Sequence, residues 1–385
     1  MKKIFCFIGS RANYSSIKSV LKEIKKKKYF KLFLIVGASA VLDKYGSVDK
    51  LIEKDGFDIY KKVFFLIEGE SPLTMSKSTG LGLIEMSSLI NEINPDIVLT
   101  VGDRFETMCA TLAAAYMNIP IAHTMGGEVS GTIDESIRHV VTKLSHIHFP
   151  ATKDAAKRIE KMGEIKKNIF LVGCPRIDLV KEILKEKVDD KILNNTLNRE
   201  GVGDNIDVSK PFLIVSQHPV TTEYENSEKD IMETLKAVSK TNLQSIVLWP
   251  NSDAGSGLIS RGIRKWRENS LSNKMRFFKN LEIKIYVQLM KKASCLVGNS
   301  SSGIREGAFI GVPVVNIGSR QLKREKSSNV ISCKNDAIHI FKSIIIQLRH
   351  GTYQRSIIYG NGNASKKIVN ILSKTKVNIQ KNISY

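Results

Sequence analysis

The chain has 385 residues, 42% of them apolar and 7% aromatic, and its 59 basic and 38 acidic side chains leave a net charge of +21. That length exceeds one comfortable hydrophobic core and predicts two domains, while no apolar run reaches the length of a membrane span. The excess charge is mostly lysine in short scattered groups, such as residues 25–28, and no RNA-binding aromatic motif accompanies it. A solvated basic surface is expected, not a nucleic-acid footprint, with some attraction for an anionic substrate. Cys6, Cys109, Cys174, Cys295 and Cys333 form no CxxC pair, and four lie in or beside apolar runs. This is the usage of reduced thiols; neither a disulfide frame nor a metal site is expected. The opening Met-Lys-Lys-Ile-Phe-Cys-Phe-Ile-Gly has an apolar part too short for a secretory signal and reads as a first strand. A cytoplasmic location is therefore expected.

Apolar runs at 4–8, 32–36, 97–101, 119–122 and 169–172 predict buried strands, with helical periodicity at 14–26, 77–93, 106–117, 134–144 and 153–162. Such alternation predicts a parallel sheet covered on both faces. A stretch rich in Lys, Asp and Asn, 181–210, predicts an extended helix plus linker. Alternation then restarts, with strands at 212–215, 245–249, 276–278, 295–297 and 312–316 and helices at 228–238, 257–268, 286–292, 304–310 and 337–348. The expected organisation is an α/β chain of two doubly wound parallel-sheet domains, 1–182 and 183–360, facing a cleft. A closing segment, 361–385, would pack its helix at 364–372 back on the first domain. Ligands of such sheets bind beyond the carboxyl ends of the strands, so residues just after each strand are the candidates.

After the first strand, Gly9-Ser-Arg-Ala-Asn-Tyr14 is a small-residue turn opening a helix, with Arg11 inside it. It suits an anion or is a plain connection. Asp103 and Arg104 follow the strand at 97–101. They read as a proton acceptor and a phosphate clamp, or as a helix cap and a surface base. After 119–122 comes the densest polar stretch, His123-Thr-Met-Gly-Gly-Glu128, then Asp134-Glu-Ser-Ile-Arg138-His139. Asp134 and Arg138 are four apart and share a helix face. Gly126-Gly127 would let a backbone approach a ligand closely. In the second half, Gln217-His218-Pro219 would aim His218 at the cleft. Asn251 opens another turn into a helix, and Arg320 follows the last strand. The run Val297-Gly-Asn-Ser-Ser-Ser-Gly-Ile-Arg-Glu306 passes from strand to helix through small polar residues. Its unpaired N–H groups favour a diphosphate; Ser and Asn are also ordinary helix caps. No GxGxxG follows the first strand and no GxxxxGK[ST] occurs, so the usual dinucleotide and P-loop signatures are missing.

Together these motifs resemble the hydrolysing UDP-N-acetylglucosamine 2-epimerases, which include bacterial sialic-acid pathway enzymes and the epimerase half of the bifunctional animal enzyme. The carriers are Gly102-Asp-Arg-Phe105, Gly126-Gly-Glu-Val-Ser-Gly-Thr-Ile-Asp-Glu-Ser-Ile-Arg-His139, Gln217-His-Pro-Val-Thr-Thr222, Asn251-Ser-Asp-Ala-Gly-Ser256, Gly298-Asn-Ser-Ser-Ser-Gly303 and Asn316-Ile-Gly-Ser-Arg-Gln321. Each is weak alone; in this order and spacing they are specific. The resemblance implies a GT-B-like fold and no cofactor. It implies UDP held mainly by the second domain through His218, Ser300, Ser301, Glu306 and Arg320, with Arg11 and Arg104 of the first domain near the diphosphate; Asn251, Gly303 and Arg138 are further substrate-binding candidates. The implied reaction is elimination of UDP across C1–C2 of the sugar, then addition of water to release N-acetylmannosamine, with Asp103 and Asp134 moving protons. Many members carry a third acid where this chain has Met125; a thioether takes no proton, so either the reaction uses fewer acids or Glu128, three residues on, contributes. The substitution also fits a 2,4-diacetamido sugar of the legionaminic type. A non-hydrolysing epimerase, a non-catalytic sugar-nucleotide-binding protein and a GT-B glycosyltransferase are the competing readings. A nucleotide-sugar partner and a homo-oligomer, dimer or tetramer, are expected, without nucleic acid or membrane.

Overall fold

The computed structural model describes residues 1–69, 71–130, 133–250, 253–269 and 273–383. In chain order the first elements are β1 (Lys2–Ile8), α1 (Arg11–Lys25), β2 (Phe30–Gly37), α2 (Val48–Lys54), β3 (Lys61–Val63), α3 (Pro72–Ile93), β4 (Ile97–Val101), α4 (Phe105–Tyr116), β5 (Ile121–Thr124), α5 (Ile133–Leu144), β6 (Ile147–Phe149), α6 (Lys153–Lys161) and α7 (Pro175–Ile183). They are followed by α8 (Asp190–Glu200), β7 (Val202–Gly203), β8 (Phe212–Ser216), α9 (Ser227–Ser239), β9 (Gln244–Leu248), α10 (Ser256–Glu268), β10 (Met275–Phe278) and α11 (Ile283–Lys292). The last are β11 (Cys295–Gly298), α12 (Ser301–Ile304), α13 (Glu306–Ile310), β12 (Val314–Ile317), β13 (Val330–Cys333), α14 (Ala337–His350) and α15 (Ala364–Lys374).

The chain divides into two units. The first takes Met1–Val129, Ile133–Leu179 and the chain from Tyr359 on. Its six strands are all parallel, in the order β3-β2-β1-β4-β5-β6. β1 and β4 are buried along nearly their whole length, so they read as continuous apolar runs without alternation. One face of the sheet packs on α1 and α15 through Ile17, Leu21, Ile24, Ile368 and Leu372. The other packs on α3 and α4 through Met86, Ile90, Cys109 and Ala113. Each fully buried aliphatic of this kind contributes about 1.5–3 kcal/mol. The start of α15 is fixed by Asp178, whose carboxylate accepts from the backbone N–H groups of Ala364 (2.9 Å) and Ser365 (2.7 Å).

The second unit, Val180–Ile358, holds a seven-stranded sheet in the order β13-β12-β11-β8-β9-β10-β7. Counting β8 as the first strand, its six parallel members repeat the 3-2-1-4-5-6 order of the first sheet; β7 is antiparallel to β10. α9, α10 and α14 cover one face and α8 and α11 the other.

Three expectations need correction. Residues 169–172 form no strand; Ile169 makes a single bridge to His148, because β6 is the short edge strand that takes this place. The stretch 181–210 is not a loose linker. α8 and β7 belong to the second unit, stapled by Arg276, whose side chain donates to the carbonyls of Leu197 (2.8 Å), Asn198 (2.5 Å), Gly201 (2.8 Å) and Gly203 (2.7 Å). Its polar composition hid a helix end satisfied by a distant arginine. Finally, the helix expected at 304–310 is two short pieces, α12 and α13, broken at Arg305. The short strands β3, β6, β7 and β13 have two to four residues each, too few for an apolar pattern to reveal.

Candidate functional site

In both sheets the strand order reverses at one place, between β1 and β4 in the first unit and between β8 and β11 in the second. The crevice outside such a switch point is where these sheets bind ligands. Arg11, Asp103 and Arg104 fall at the first of these places, and His218, Ser300, Ser301 and Gly303 at the second.

In the first unit, β4 ends at Val101, whose carbonyl accepts from the Asn13 amide (3.3 Å) and the Thr107 hydroxyl (3.1 Å). The Asn13 amide oxygen in turn accepts from the Gly9 N–H at 3.3 Å, so one side chain joins the exits of β1 and β4. Gly102 then turns in the left-handed region (φ +73°), and Asp103 follows. Asp103 is ion-paired with Arg138 of α5. The Arg138 side chain is fully buried and also donates to the Glu128 carbonyl at 2.8 Å. One guanidinium thus ties the β4 exit, the loop after β5 and the second turn of α5. A buried cation beside Asp103 favours its carboxylate form. Asp134 is half-buried in the first turn of α5, and Glu128 is buried. Glu135 and His139 approach to 3.7 Å across one turn.

Arg11 is the half-buried first residue of α1, capped by Ser10. Arg104 occupies the cap position of α4 without capping it; its Nε lies 3.0 and 3.1 Å from the two oxygens of the fully buried Glu106. The pair fixes the Nε edge of the guanidinium. Gly126 and Gly127 do not make room for a ligand. A Cβ on Gly126 would stand 2.8 Å from His123 Nδ1, and one on Gly127 would stand 2.4 Å from the Ala155 carbonyl. Both are glycine because the chain itself fills the space. Met125 is buried in the left-handed region (φ +64°), with its Sδ 3.7 Å from the Cys174 thiol.

In the second unit the turn after β11 is built around Asn299. Gly298 takes φ +136°, and a Cβ there would lie 2.1 Å from the Ser216 carbonyl. Asn299 accepts from the His218 N–H (2.7 Å) and donates to the His218 carbonyl (2.8 Å). Its own carbonyl accepts from Arg320 and Gln321, each at 3.2 Å. Ser300 caps α12, and its hydroxyl lies 3.0 Å from that of Ser302. Gly303 packs under β11 and β12, where a Cβ would meet Val314 at 2.9 Å. Glu306 is fully buried at the start of α13. Arg320 stands 3.9 Å from the buried Asp253, and its Nε is buried with no hydrogen-bond partner among the described residues. An unpaired buried donor beside a serine turn suits an anionic ligand. The four-residue α12 brings little macrodipole, so any anion there rests on the turn, the serines and Arg320. Asn251 lies outside the described residues. Asn299, Asp253 and Gln321 lie within the sequence motifs but carry no role that the sequence alone assigns, and Glu106 lies outside them. An asparagine directly after a buried strand was the available signal.

The family described as UDP-N-acetylglucosamine 2-epimerase matches residues 22–373. The chain belongs to that family. Within it, the "UDP-N,N'-diacetylbacillosamine 2-epimerase (hydrolyzing)" of Legionella pneumophila is 33% identical, over 99% of this chain and 98% of that protein. The "UDP-N-acetylglucosamine 2-epimerase" of Neisseria meningitidis is 30% identical, over 94% of this chain and 92% of that one. The crystal structure of the Methanocaldococcus jannaschii UDP-GlcNAc 2-epimerase in complex with UDP-GlcNAc and UDP has a TM-score of 0.81 at 18% identity, covering 97% of this chain and 100% of its own. The fold is thus the two-unit, GT-B-like fold of the 2-epimerase structures.

Proposed function

We propose that this 2-epimerase family member hydrolyses a UDP-2-acetamido sugar with inversion at C2. A carboxylate removes the C2 proton while the C1–O bond breaks and its electron pair leaves on the diphosphate, giving a 2-acetamidoglycal. Water then adds, oxygen to C1 and a proton to C2 from the opposite face, and the free 2-epimer leaves. Asp103, Asp134 and Glu128 are the acids of the first unit. His218, Ser300, Ser301, Glu306 and Arg320 of the second serve the UDP, where negative charge develops and donors lower the barrier. The observation that carries this reading is the Arg138 bridge, which joins Asp103 at the β4 exit to the Glu128 carbonyl in the loop after β5.

Two sugars fit. With UDP-N-acetylglucosamine the product is N-acetylmannosamine, the start of sialic acid biosynthesis. A UDP-2,4-diacetamido sugar is favoured by two observations. Relatives named for diacetylbacillosamine stand at 33% and 31% identity. Met125, packed on Cys174, sets an apolar side chain where many relatives hold an acid.

The test is incubation with each UDP sugar in deuterated water, followed by NMR. A free 2-epimer deuterated at C2, with UDP released, is expected. A UDP-linked product indicates the non-hydrolysing reaction. Protium retained at C2 of the free product defeats the elimination mechanism, and absence of turnover with either sugar defeats the reading.

A further inference from the structure

We infer that His123 is a positioning residue of this reaction, whose neutral imidazole holds the Gly102 carbonyl and thereby fixes the turn that presents Asp103. The inference rests on the reading of Asp103 as a reacting acid. His123 stands at the end of β5, beside β4 in the sheet, and its Nε2 lies 2.8 Å from the Gly102 carbonyl oxygen. A carbonyl only accepts, so Nε2 carries the proton. Nδ1 is then left as an acceptor, 3.3 Å from the Thr142 hydroxyl. That hydroxyl donates its one proton at 2.9 Å to the nearer carbonyl of Arg138, the residue paired with Asp103, so its contact with Nδ1 is one of packing. The ring therefore sits between the turn that carries Asp103 and the helix that carries its counter-ion.

Three further features agree. The ring is fully buried and its one donor is taken by the Gly102 carbonyl, which suits a supporting role. Burial, with His148 and His139 nearby, pushes its pKa down to about 3 against the pull of the Gly102 hydrogen bond, and the ring stays neutral at working pH. Gly126 is the residue that admits it, since a Cβ there would collide with Nδ1 and with Thr142 Oγ1, 2.9 Å away. Gly102 turns in the left-handed region and its own N–H donates to the Thr124 carbonyl at 3.1 Å, so the His123 bond completes the pairing of its backbone. An acid misplaced by about 1 Å costs on the order of 100-fold in rate.

The test compares His123→Leu, which cannot donate, with His123→Gln, whose amide nitrogen reaches where Nε2 lies. His123→Leu is expected to lower kcat by about 10- to 100-fold with KM and UDP affinity within about twofold, and His123→Gln to restore most of kcat. Equal impairment of both folded variants, or normal kcat in His123→Leu, overturns the inference. If His123→Leu does not fold, the outcome for His123→Gln decides. A second measurement is independent of turnover. Imidazole nitrogen NMR of the intact protein is expected to show a histidine locked as the neutral Nε2–H form from pH 5 to 8 and distinct from His148, whose Nε2 faces Glu164. Its signal must vanish in His123→Gln; a charged ring or an Nδ1–H form there overturns the inference even if neither sugar is turned over.

Discussion

His218 and Asn299 hold each other by two hydrogen bonds, one from the His218 N–H to the Asn299 side chain at 2.7 Å and one returned to the His218 carbonyl at 2.8 Å. The pair spans the switch point of the second sheet, joining the exit of β8 to that of β11. Asn13 does the same in the first sheet, between Gly9 and Val101. Each bridge needs a donor and an acceptor on one short side chain, which an ionised aspartate cannot supply.

Asn299→Asp removes the donor to the His218 carbonyl and sets a negative charge beside Arg320 and the serine turn. UDP affinity should fall by about 1–3 kcal/mol, the range for losing a partner of a buried polar group. Calorimetry with UDP, alongside a melting curve showing a folded protein, measures it. Unchanged affinity would detach the turn from UDP.

Glu306 is fully buried at the start of α13, and Gln is its closest replacement in shape. If it accepts from ribose hydroxyls, Glu306→Gln should weaken UDP by about 1–3 kcal/mol, the range of hydrogen bonds to charged groups. The same variant should bind inorganic diphosphate as the parent does, since the diphosphate contacts lie in the turn and Arg320. Equal loss for both ligands would assign Glu306 to the fold of the turn instead.

The long central strands were legible in the sequence because they are buried on both faces and therefore apolar throughout: Phe5, Val98, Ile214 and Leu296 are fully buried or nearly so. The strand-end motifs were legible for the same reason, since a polar residue straight after such a run stands at a sheet's carboxyl edge. What escaped was set by contacts distant in sequence. Arg276 fixes the end of α8 from 79 residues away. The Gly126 and Gly127 pair was read as ligand space because nothing local reveals His123 and Ala155 pressing on it. Arg138 was matched to Asp134 by spacing, while its tie to Asp103 crosses from another element.

Asp103→Asn and Asp134→Asn should each lower turnover by at least about 100-fold, the low end for a general acid or base. UDP affinity should change little, because the proposed uridine and diphosphate contacts belong to the second unit. Asp103→Asn also leaves Arg138 without its carboxylate, so its melting temperature should fall more than that of Asp134→Asn, whose site is half-buried. Near-normal turnover of either variant removes that acid from the mechanism and leaves the other's role standing.

Glu164 should make the first unit acid-sensitive. Its buried carboxylate meets His148 Nε2 at 3.0 Å, Lys143 at 2.7 Å and Lys381 at 2.7 Å. Burial alone would raise its pKa, but the three hydrogen bonds outweigh it and bring the value down to about 2. Burial also lowers the pKa of His148, so that ring donates as a neutral group. A folded-state pKa below the unfolded value of about 4.3 gives stability that is complete above that value. It is lost as pH falls toward about 2, where the folded form also takes up the proton. Glu164→Gln should therefore destabilise the protein at pH 7 by about 3 kcal/mol, the low end for breaking a buried ion pair, because Lys143 is partly exposed. The difference between variant and parent should shrink as the pH drops below about 4, near the unfolded glutamate value. Urea melts across pH 3–7 measure it. A constant difference over that range would mean that the carboxylate's charge contributes nothing and only its shape is used.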